Sequence, residues 1–354
     1  MTTIIGIDPH KRTHTAVVLD DREEIAAQVQ VPADRRQVQR LLRWADGWPE
    51  RVWAVENAHG LGHRLCQQLV ARGEVVVDVP ATLSARARKL SGHSQRKTDP
   101  FDARSVAIAA RYNRELRRVV PETDAQVIGL LLERRWHLVS HRQKTMVRLH
   151  ALLTDLVSGG LQGRITHANA AAMLRSVRPS NAVDVARKDA AREMLTDWRW
   201  LDRRVAEATR SVHEAMALYD TGLTAIPGVG VIIAANIIAI TGDVHRFRSA
   251  AHFAAYAATA PIDASSGDVI HRRLDHLGNR RLNSQLHQIA TVQIRRGAAG
   301  RTYYDRKRAQ GKSHRDAIRS LKRQLATVVY RQLIDDARRR EAVRGGQHAD
   351  DTTT

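Results

Sequence analysis

The sequence predicts an α/β domain followed by a longer, mainly α-helical region. Short β-branched or aromatic runs, such as Ile4 to Ile7 and Val52 to Val55, are concentrated near the start of the chain and alternate with amphipathic stretches. From Val127 onward, apolar residues recur mostly at helical spacing. At 354 residues the chain also exceeds the roughly 250 to 300 residues that one hydrophobic core usually spans. More than one domain is therefore expected.

The α/β part is predicted to begin with three strands before its first helix, an order typical of ribonuclease-H-like domains. Capping residues, apolar periodicity and Gly or Pro stops place the elements. The strands are expected at Ile4 to Asp8, Thr15 to Leu19, Ile25 to Val31, Val52 to Val55 and Val75 to Val79. The helices are expected at Asp34 to Trp44, at Leu61 to Ala71, through Arg86 to Leu90, and from Asp99 onward.

Four carboxylates fall where this order would bring them together. Asp8 and Glu56 end two buried strands, and Asp99 and Asp102 lie three apart at a helix start with Pro100 in the first turn. Each Asp taken alone is more typical of a cap or a turn. Clustered carboxylates repel one another unless divalent cations neutralise them, as in two-metal phosphoryl-transfer sites. The joint pattern predicts a Mg²⁺ or Mn²⁺ site that cleaves nucleic acid.

The charge of the chain predicts a polyanionic partner. Lys and Arg number 57 against 37 Asp and Glu, which gives a net charge of +20 and a pI near 11.1. A membrane surface would also attract this charge, but no apolar run approaches the ~18 residues of a spanning helix, and no secretory segment is recognised before Gly6. Cys66 is the only cysteine, which excludes a disulfide framework within the chain and favours a cytoplasmic setting.

Histidine pairs at helical i, i+4 spacing are interpreted as solvated or DNA-facing residues. None belongs to an HExxH motif, and no cysteine cluster accompanies them. The pairs are His10 with His14, His59 with His63, and His137 with His141.

The polar, basic segment 91–97 ends at Lys97 and leads into the helix that carries Asp99 and Asp102. It is interpreted either as a loop that closes over substrate near the metals or as a plain linker. Lys97, before the helix, and Arg104, within it, are candidate nucleic-acid contacts.

Two long helices are predicted in the middle of the chain. The first spans Val127 to Val157, and glycines at 159, 160 and 163 follow it. The second carries a heptad seam that must pack against another helix. The seam consists of Met194, Trp198, Leu201, Val205, Ala208, Val212, Ala215 and Tyr219. Its partner is either the first helix or a second subunit, and an arm that helps to form a dimer is favoured.

The segment Thr224 to Gly230 resembles the turn of a helix-hairpin-helix motif and leads into an apolar helix at Ile232 to Ile240. In such a turn, backbone N-H groups at Gly228 and Gly230 would hold a DNA phosphate. A purely structural connection explains the same residues equally well.

The C-terminal part contains a turn-rich stretch and basic helices. Ser265-Ser266-Gly267 reads locally as a plain turn, and candidate phosphate-binding arginines follow it. They are Arg272, Arg273, Arg280 and Arg281. One or two helices are expected from Tyr303 to Arg340, and the tail at 341–354 is predicted to be disordered.

Together, these segments resemble the IS110 family, the bridge-RNA-guided DEDD transposases of insertion sequences. The resemblance rests on a set of motifs spread over most of the chain. They are Gly6-Ile7-Asp8-Pro9-His10-Lys11, Ala54-Val55-Glu56 with Gly60, Lys97-Thr98-Asp99 with Asp102-Ala103-Arg104, Ile226-Pro227-Gly228-Val229-Gly230, Phe247 to Tyr256, Ser266-Gly267, and Gly278-Asn279-Arg280-Arg281-Leu282.

The resemblance implies a RuvC-like domain at 1–125, a helical coiled-coil arm at 126–221 and a C-terminal transposase domain at 222–340. It implies that the four carboxylates bind Mg²⁺ or Mn²⁺ and that a serine becomes covalently joined to a DNA phosphate. That serine is expected to be Ser266, with the adjoining Ser265 as the alternative. A composite site, with the RuvC-like domain of one subunit facing Ser266 of another, would require an oligomer.

The implied partners are donor and target DNA, a guide RNA and further copies of the chain, as a dimer or a tetramer. The implied location is the bacterial cytoplasm, at the nucleoid. Two rival functions stay open: a junction nuclease that uses the carboxylates with water, and a non-catalytic nucleic-acid-binding scaffold.

Overall fold

The structure is a computed structural model that describes residues 2–90, 98–113, 115–263, 272–274 and 278–350. Of 261–263, 272–274 and 343–350 it describes the backbone alone. The chain divides into two compact units, Met1–Glu122 and Thr123–Thr354.

The first unit is an α/β domain built on one mixed sheet. Its strands are β1 Thr3–Pro9, β2 Thr13–Leu19, β3 Ile25–Pro32, β4 Arg51–Glu56, β5 Val76–Val79 and β6 Arg117–Arg118. Its helices are α1 Gln37–Trp44, α2 His63–Val70, α3 Ala81–Leu90 and α4 Asp99–Tyr112. The sheet order is β3-β2-β1-β4-β5-β6. β1, β4 and β5 are parallel, and β2, β3 and β6 run antiparallel to their neighbours. The three strands before the first helix are confirmed.

Helices cover both faces of this sheet, which is why its central strands are apolar throughout. On one face, Ile5, Trp53 and Val55 pack against α1 and α2 through residues such as Leu41 and Leu69. On the other face, the sheet packs against α3 and α4. The sheet is therefore the rigid base from which the strand-end side chains project.

Three helices of this unit begin at other residues than the sequence predicts. α2 starts at His63, two residues after the expected Leu61. α1 starts at Gln37 and not at Asp34, because the Asp34 carboxylate accepts a hydrogen bond from the Arg36 backbone N-H and forms a turn ahead of the helix. α3 starts at Ala81, directly after Pro80, and is longer than the segment predicted from Arg86.

The second unit is mainly helical. Its helices are α5 Asp124–Leu156, α6 His167–Ser176, α7 Ala182–Leu218, α8 Val231–Thr241, α9 Ala250–Tyr256, α10 Arg280–Arg296, α11 Ala299–Ala309 and α12 His314–Asp350. A short antiparallel pair, β7 Pro261–Asp263 and β8 Arg272–Leu274, lies in the stretch whose sequence reads as a plain turn.

The seam of α7 packs against α5 of the same chain in an antiparallel hairpin. Trp198 shares a cluster with Leu153, Leu201 shares one with Leu138, and Val212 packs near Ile128. The pairing therefore runs in opposite directions along the two helices. α6 covers the far end of this hairpin through Ala170 and Leu174. A contribution of the hairpin to a dimer stays a prediction, as does the division of this unit at residue 221.

The core around Phe253 joins α5, α7, α8, α9, α10 and α12. The rings of Phe247 and Phe253 have centroids 5.2 Å apart, and the Tyr330 hydroxyl on α12 donates to the Phe247 carbonyl over 3.0 Å. The backbone of α12 is helical as far as Asp350, and the disordered tail expected at 341–354 stays a prediction. Good helix formers such as Glu341 and Ala342 continue the helix beyond Arg340.

Candidate active site

Asp8 and Glu56 lie side by side at the carboxyl ends of two adjacent parallel strands. Ile7 on β1 is opposite Val55 on β4, so the next residue of each strand is one of the two acids. Asp8 is 7% exposed, and Glu56 is partly buried. Asp8 and Glu56 therefore lie at the ends of adjacent strands, as the apolar runs in the sequence predict.

Asp99 and Asp102 occupy the first turn of α4. Thr98 ahead of them is extended, and Pro100 fits the first turn because a proline has no N-H to lose there. Gly6 sets how closely this helix approaches the sheet. A Cβ on Gly6 would lie 2.3 Å from the Ala103 carbonyl oxygen and 2.7 Å from the Ala107 nitrogen, both on α4. The backbone of α4 thus packs directly on β1, two residues before Asp8.

The charges of the three other predicted acids act on Asp8. Among the described residues, the ligand atoms that lie within 4.8 Å of one another belong to Asp8, His10 and Asp99, and that group does not include Glu56 or Asp102. Burial raises the pKa of Asp8 to about 6, with nearby His10 opposing the rise and the charges of Glu56, Asp102 and Asp99 adding to it. Other acids raise the pKa of a carboxyl group appreciably only when they lie close to it. A divalent cation bound beside this carboxyl group would favour its ionised form.

His10 is part of this site although the sequence reading gave it a solvated or DNA-facing role. One ligand atom each from Asp8, His10 and Asp99 lie within 4.8 Å of one another. The His10 Nδ1 is 3.6 Å from an Asp8 Oδ2. The signal available in the sequence was the spacing Asp8-Pro9-His10, which places two side chains of a strand end on the same side.

Three further residues hold the acids in place. The Ser84 hydroxyl donates to Glu56 Oε1 over 2.6 Å, and an Arg88 guanidinium nitrogen lies 3.0 Å from Asp102 Oδ1. Gln30 on β3 donates to Asp99 Oδ2 over 3.3 Å. Ser84 and Arg88 are four residues apart on α3, so one helix face contacts acids from two different elements.

The donor set fits a divalent cation. Carboxylate oxygens are the ligands that Mg²⁺ and Mn²⁺ prefer, and an imidazole nitrogen is compatible with Mn²⁺. Within the described ranges, no Lys or Arg nitrogen lies within 4 Å of the Asp8 carboxylate, and the His10 ring is the basic group beside it. A buried carboxylate of this kind is stabilised by a metal ion more readily than by any side chain present.

Arg104 corrects a prediction, because its side chain does not face a nucleic acid. It is 5% exposed, its Nε donates to the Glu23 carbonyl oxygen over 2.8 Å, and it pairs with Glu24 at 3.3 Å. Arg104 therefore fastens α4 to the turn between β2 and β3. Lys97, the other candidate beside the acids, lies outside the described residues.

The turn before α8 has a structural explanation. Gly228 has φ +86°, and a Cβ there would lie 3.2 Å from the Ile289 carbonyl oxygen on α10. Gln293 donates to the Pro227 carbonyl oxygen over 2.6 Å. Gly230 is exposed at the N-terminus of α8. Gly228 thus permits close packing on α10, whereas nothing lies within 4 Å of a Cβ built on Gly230. A phosphate contact at this turn stays a prediction.

Both serine candidates, Ser265 and Ser266, lie outside the described residues, in the stretch that joins β7 to β8. Arg272 and Arg273 belong to β8, where the backbone alone is described. Arg280 and Arg281 are exposed in the first turn of α10.

Two transposase models match the chain. One, for DEDD transposases of the IS110 type, matches residues 5–157, and one described as Transposase IS116/IS110/IS902 family matches residues 220–305. Together they cover roughly two thirds of the sequence. This chain belongs to the IS110 family of transposases. The first match includes all four carboxylates of this transposase, and the second includes Ser265 and Ser266.

Individual relatives of the transposase agree with this assignment. It is 28% identical over 380 residues to the uncharacterized 44.8 kDa protein of insertion element IS116 of Streptomyces clavuligerus, with 94% of each chain covered. It is 31% identical over 285 residues to the uncharacterized 43.6 kDa protein of insertion element IS110 of Streptomyces coelicolor, covering 77% of this chain and 65% of that protein.

Among solved structures, T. thermophilus RuvC in complex with a Holliday junction substrate is similar over 31% of this chain and 93% of that chain, with 16% identity and a TM-score of 0.26. The transposase is a DNA-cleaving and recombining enzyme, as its family is. No helix in its described ranges is both long and apolar enough to cross a bilayer.

Proposed function

We propose that this transposase cuts and rejoins DNA strands with two chemical groups, a metal-binding carboxylate quartet and a serine nucleophile. The quartet is Asp8, Glu56, Asp99 and Asp102. The observation that carries this proposal is the buried Asp8, whose pKa is raised to about 6 by burial and by the three other acids, with the His10 Nδ1 3.6 Å from its Oδ2. Unneutralised acids packed in this way destabilise a fold, and a bound cation removes that cost.

The side chains have distinct roles in the proposed site. Asp8 and Glu56 project from the rigid sheet and fix the position of the site, while Asp99 and Asp102 approach from α4. Bound divalent ions would neutralise the scissile phosphate and the charge that develops on the attacking and leaving oxygens. Ser84, Arg88 and Gln30 keep three of the acids in place, because each contacts one carboxylate directly.

The proposed nucleophile is Ser266, within the match to the second family model. Its hydroxyl oxygen attacks phosphorus, and the bond from phosphorus to one deoxyribose oxygen breaks. The hydroxyl proton passes to a solvent base, and the deoxyribose oxygen leaves as a hydroxyl. The serine-phosphate ester conserves the bond energy, so that the hydroxyl of another strand can reverse the reaction and join two strands.

The proposed partners follow from charge and from family resemblance. A net charge of +20 supports binding to donor and target DNA. A guide RNA would supply the sequence recognition, as the resemblance to bridge-RNA-guided transposases implies. We also propose a homo-oligomer, a dimer or a tetramer, which light scattering of the purified chain measures directly.

The proposal is tested by trapping the covalent protein-DNA species on denaturing gels. Ser266→Ala is expected to abolish the adduct while leaving DNA binding intact, because only the attacking oxygen is removed. Asp8→Asn is expected to abolish it as well, through loss of metal binding. Ser265→Ala is the matched control, and its adduct is expected to persist. Loss of the adduct in Ser265→Ala with retention in Ser266→Ala would move the nucleophile by one residue.

A junction nuclease that uses water is the second candidate function. The acid cluster lies wholly in the first unit and could activate water without a serine. Hydrolysis leaves free ends and no adduct, whereas strand exchange leaves rejoined strands and an adduct that proteases remove. A cleaving enzyme without any adduct would favour this candidate. If calorimetry finds no Mg²⁺ or Mn²⁺ site that depends on Asp99 and Asp102, the result would instead favour a non-catalytic nucleic-acid-binding scaffold.

A further inference from the structure

We propose that His10 is a direct ligand of one cation in the acid cluster and that its nitrogen makes the site prefer Mn²⁺ to Mg²⁺. This inference rests on the proposed function, because it assumes that the cluster of Asp8, Glu56, Asp99 and Asp102 binds metal.

The first observation is the spacing of the ligand atoms. Asp8, His10 and Asp99 each place one such atom within 4.8 Å of the other two. The His10 Nδ1 and Asp8 Oδ2 are 3.6 Å apart, which is too long for a hydrogen bond. Two ligands of one six-coordinate ion, each about 2.1 Å from the metal, lie about 3 to 4 Å apart. The separation of the His10 and Asp8 atoms therefore suits a shared ion.

The second observation is the backbone that carries His10. It follows β1, two residues after Asp8, and its N-H donates to the Thr13 carbonyl oxygen over 2.9 Å. That bond closes the turn into β2 and holds the residue beside the strand end. The His10 side chain is 48% exposed, so its ring can adjust to an entering ion and remains accessible to solvent.

His14, which lies four residues after His10, has a structural role. It is 3% exposed, and its Nε2 lies 2.9 Å from the Gln37 side-chain oxygen. Burial lowers the pKa of His14, which keeps its ring neutral inside the sheet domain. The i, i+4 spacing thus joins one buried structural histidine with one that faces the acids.

Ligand chemistry sets the expected metal preference. Mg²⁺ binds carboxylate and water oxygens and dehydrates reluctantly, whereas imidazole is a good ligand for transition metals. The four carboxylates alone would accept either ion. A nitrogen donor in the first coordination sphere adds affinity for Mn²⁺ and little for Mg²⁺.

The test is electron paramagnetic resonance of Mn²⁺ bound to the full-length chain. Pulsed measurements are expected to show hyperfine coupling to ¹⁴N, which only a nitrogen bonded to the ion gives at this strength. His10→Gln is expected to lose the coupling, and the ratio of the Mg²⁺ to the Mn²⁺ dissociation constant is expected to fall about tenfold. His10→Asp, which restores a charged oxygen donor, is expected to bind metal without the coupling and with the same lowered ratio.

His63→Gln is the matched control. His63 is in the same unit, is 40% exposed at its side chain and lies 3.0 Å from Glu122, so it resembles His10 in exposure and in having an acid nearby. Its variant is expected to keep the ¹⁴N coupling and the wild-type ratio.

Two results overturn the inference in different ways. In the first result, Mn²⁺ binding depends on Asp99 but shows no ¹⁴N coupling, or shows coupling that persists in His10→Gln. This result refutes His10 as a ligand but is compatible with a metal site formed by the carboxylates. If no Mg²⁺ or Mn²⁺ binding depends on Asp99, as measured by comparison with Asp99→Asn, the metal site itself is refuted. The inference about His10 is then refuted with it.

Discussion

Gly6 determines how close α4 can come to the sheet, and thereby where two of the four acids lie. Its missing Cβ leaves room for the backbone of α4 at Ala103 and Ala107. The site therefore depends on a residue that takes no part in chemistry.

Gly6→Ala is expected to destabilise the first unit by about 1 to 3 kcal/mol, because an added methyl would overlap backbone atoms that cannot move independently. It is also expected to weaken Mn²⁺ binding, since α4 carries Asp99 and Asp102. Urea denaturation and metal titration measure the two effects. Gly47→Ala is the control, because nothing lies within 4 Å of its Cβ position. Equal stability of the two variants would contradict this account.

The sequence predicts the four carboxylates but not the residues that hold them. Strand ends and a helix start follow from local patterns, so Asp8, Glu56, Asp99 and Asp102 can be named without coordinates. The contacts of Ser84, by contrast, depend on how α3 is rotated about its axis above the sheet. Nothing local sets that rotation, since it results from packing against α4.

At the scale of elements, a buried carboxylate on α12 adds polar contacts to the apolar packing of this helix on the rest of the second unit. Asp336 is fully buried and accepts hydrogen bonds from the Thr221 hydroxyl, the Gly222 N-H, Gln332 and Arg339. Burial opposes ionisation, but these donors hold the pKa of Asp336 below its ordinary value. Because the folded-state pKa is lowered, this stabilisation is present at neutral pH and is lost as the pH falls through the acid range.

Asp336→Ala is expected to cost about 3 kcal/mol of the free energy of unfolding, because several buried donors lose their acceptor at once. Asp335→Ala is the matched control. The neighbouring Asp335 is exposed and lies 4.0 Å from Arg338, so its removal is expected to cost less than about 1 kcal/mol. Urea unfolding followed by circular dichroism measures both variants. A similar loss in each would show that α12 is held by its apolar face alone.

The heptad seam of α7 shows what periodicity can and cannot determine. Trp198, Leu201, Val205 and Val212 are buried as expected, and Met216 is more deeply buried than the predicted Ala215, which is partly buried against the same core. A straight α-helix drifts by about 20° per heptad, so its contact face moves one residue onward by the last turns. At the other end Leu195 is buried, where α6 widens the covered face.

At the scale of the whole molecule, the net charge of +20 is expected to contribute strongly to any binding of nucleic acid. Each phosphate that the protein neutralises releases counterions, so affinity depends on salt as well as on sequence.

We expect the dissociation constant for a short DNA duplex of arbitrary sequence to rise about 10³-fold or more between 50 and 200 mM salt, the response of a protein that contacts about 6 to 10 phosphates. Fluorescence anisotropy at several salt concentrations measures the slope. The Ser266→Ala variant is the control and should show the same slope, since it alters no charge. A dissociation constant that stays flat across this range would contradict binding driven by charge.

The fold class, the strand order along the chain and the acid positions were accessible from the sequence because each depends on short-range patterns. The short pair of β7 and β8 was not, since three-residue strands give no periodic signal and their pairing depends on long-range contacts. Arg104 was misread for a related reason. In the sequence, an arginine two residues after Asp102 is typical of a DNA contact, and only the packing of α4 on the β2 to β3 turn shows that it is buried.

One short helix holds half of the quartet. Ser84 and Arg88 lie on the same face of α3, and each contacts an acid from a different element. A movement of this helix would therefore displace Glu56 and Asp102 together. A single substitution that tilts α3 would therefore disturb two acids at once. The mutated residue would be neither of the acids whose position it changes.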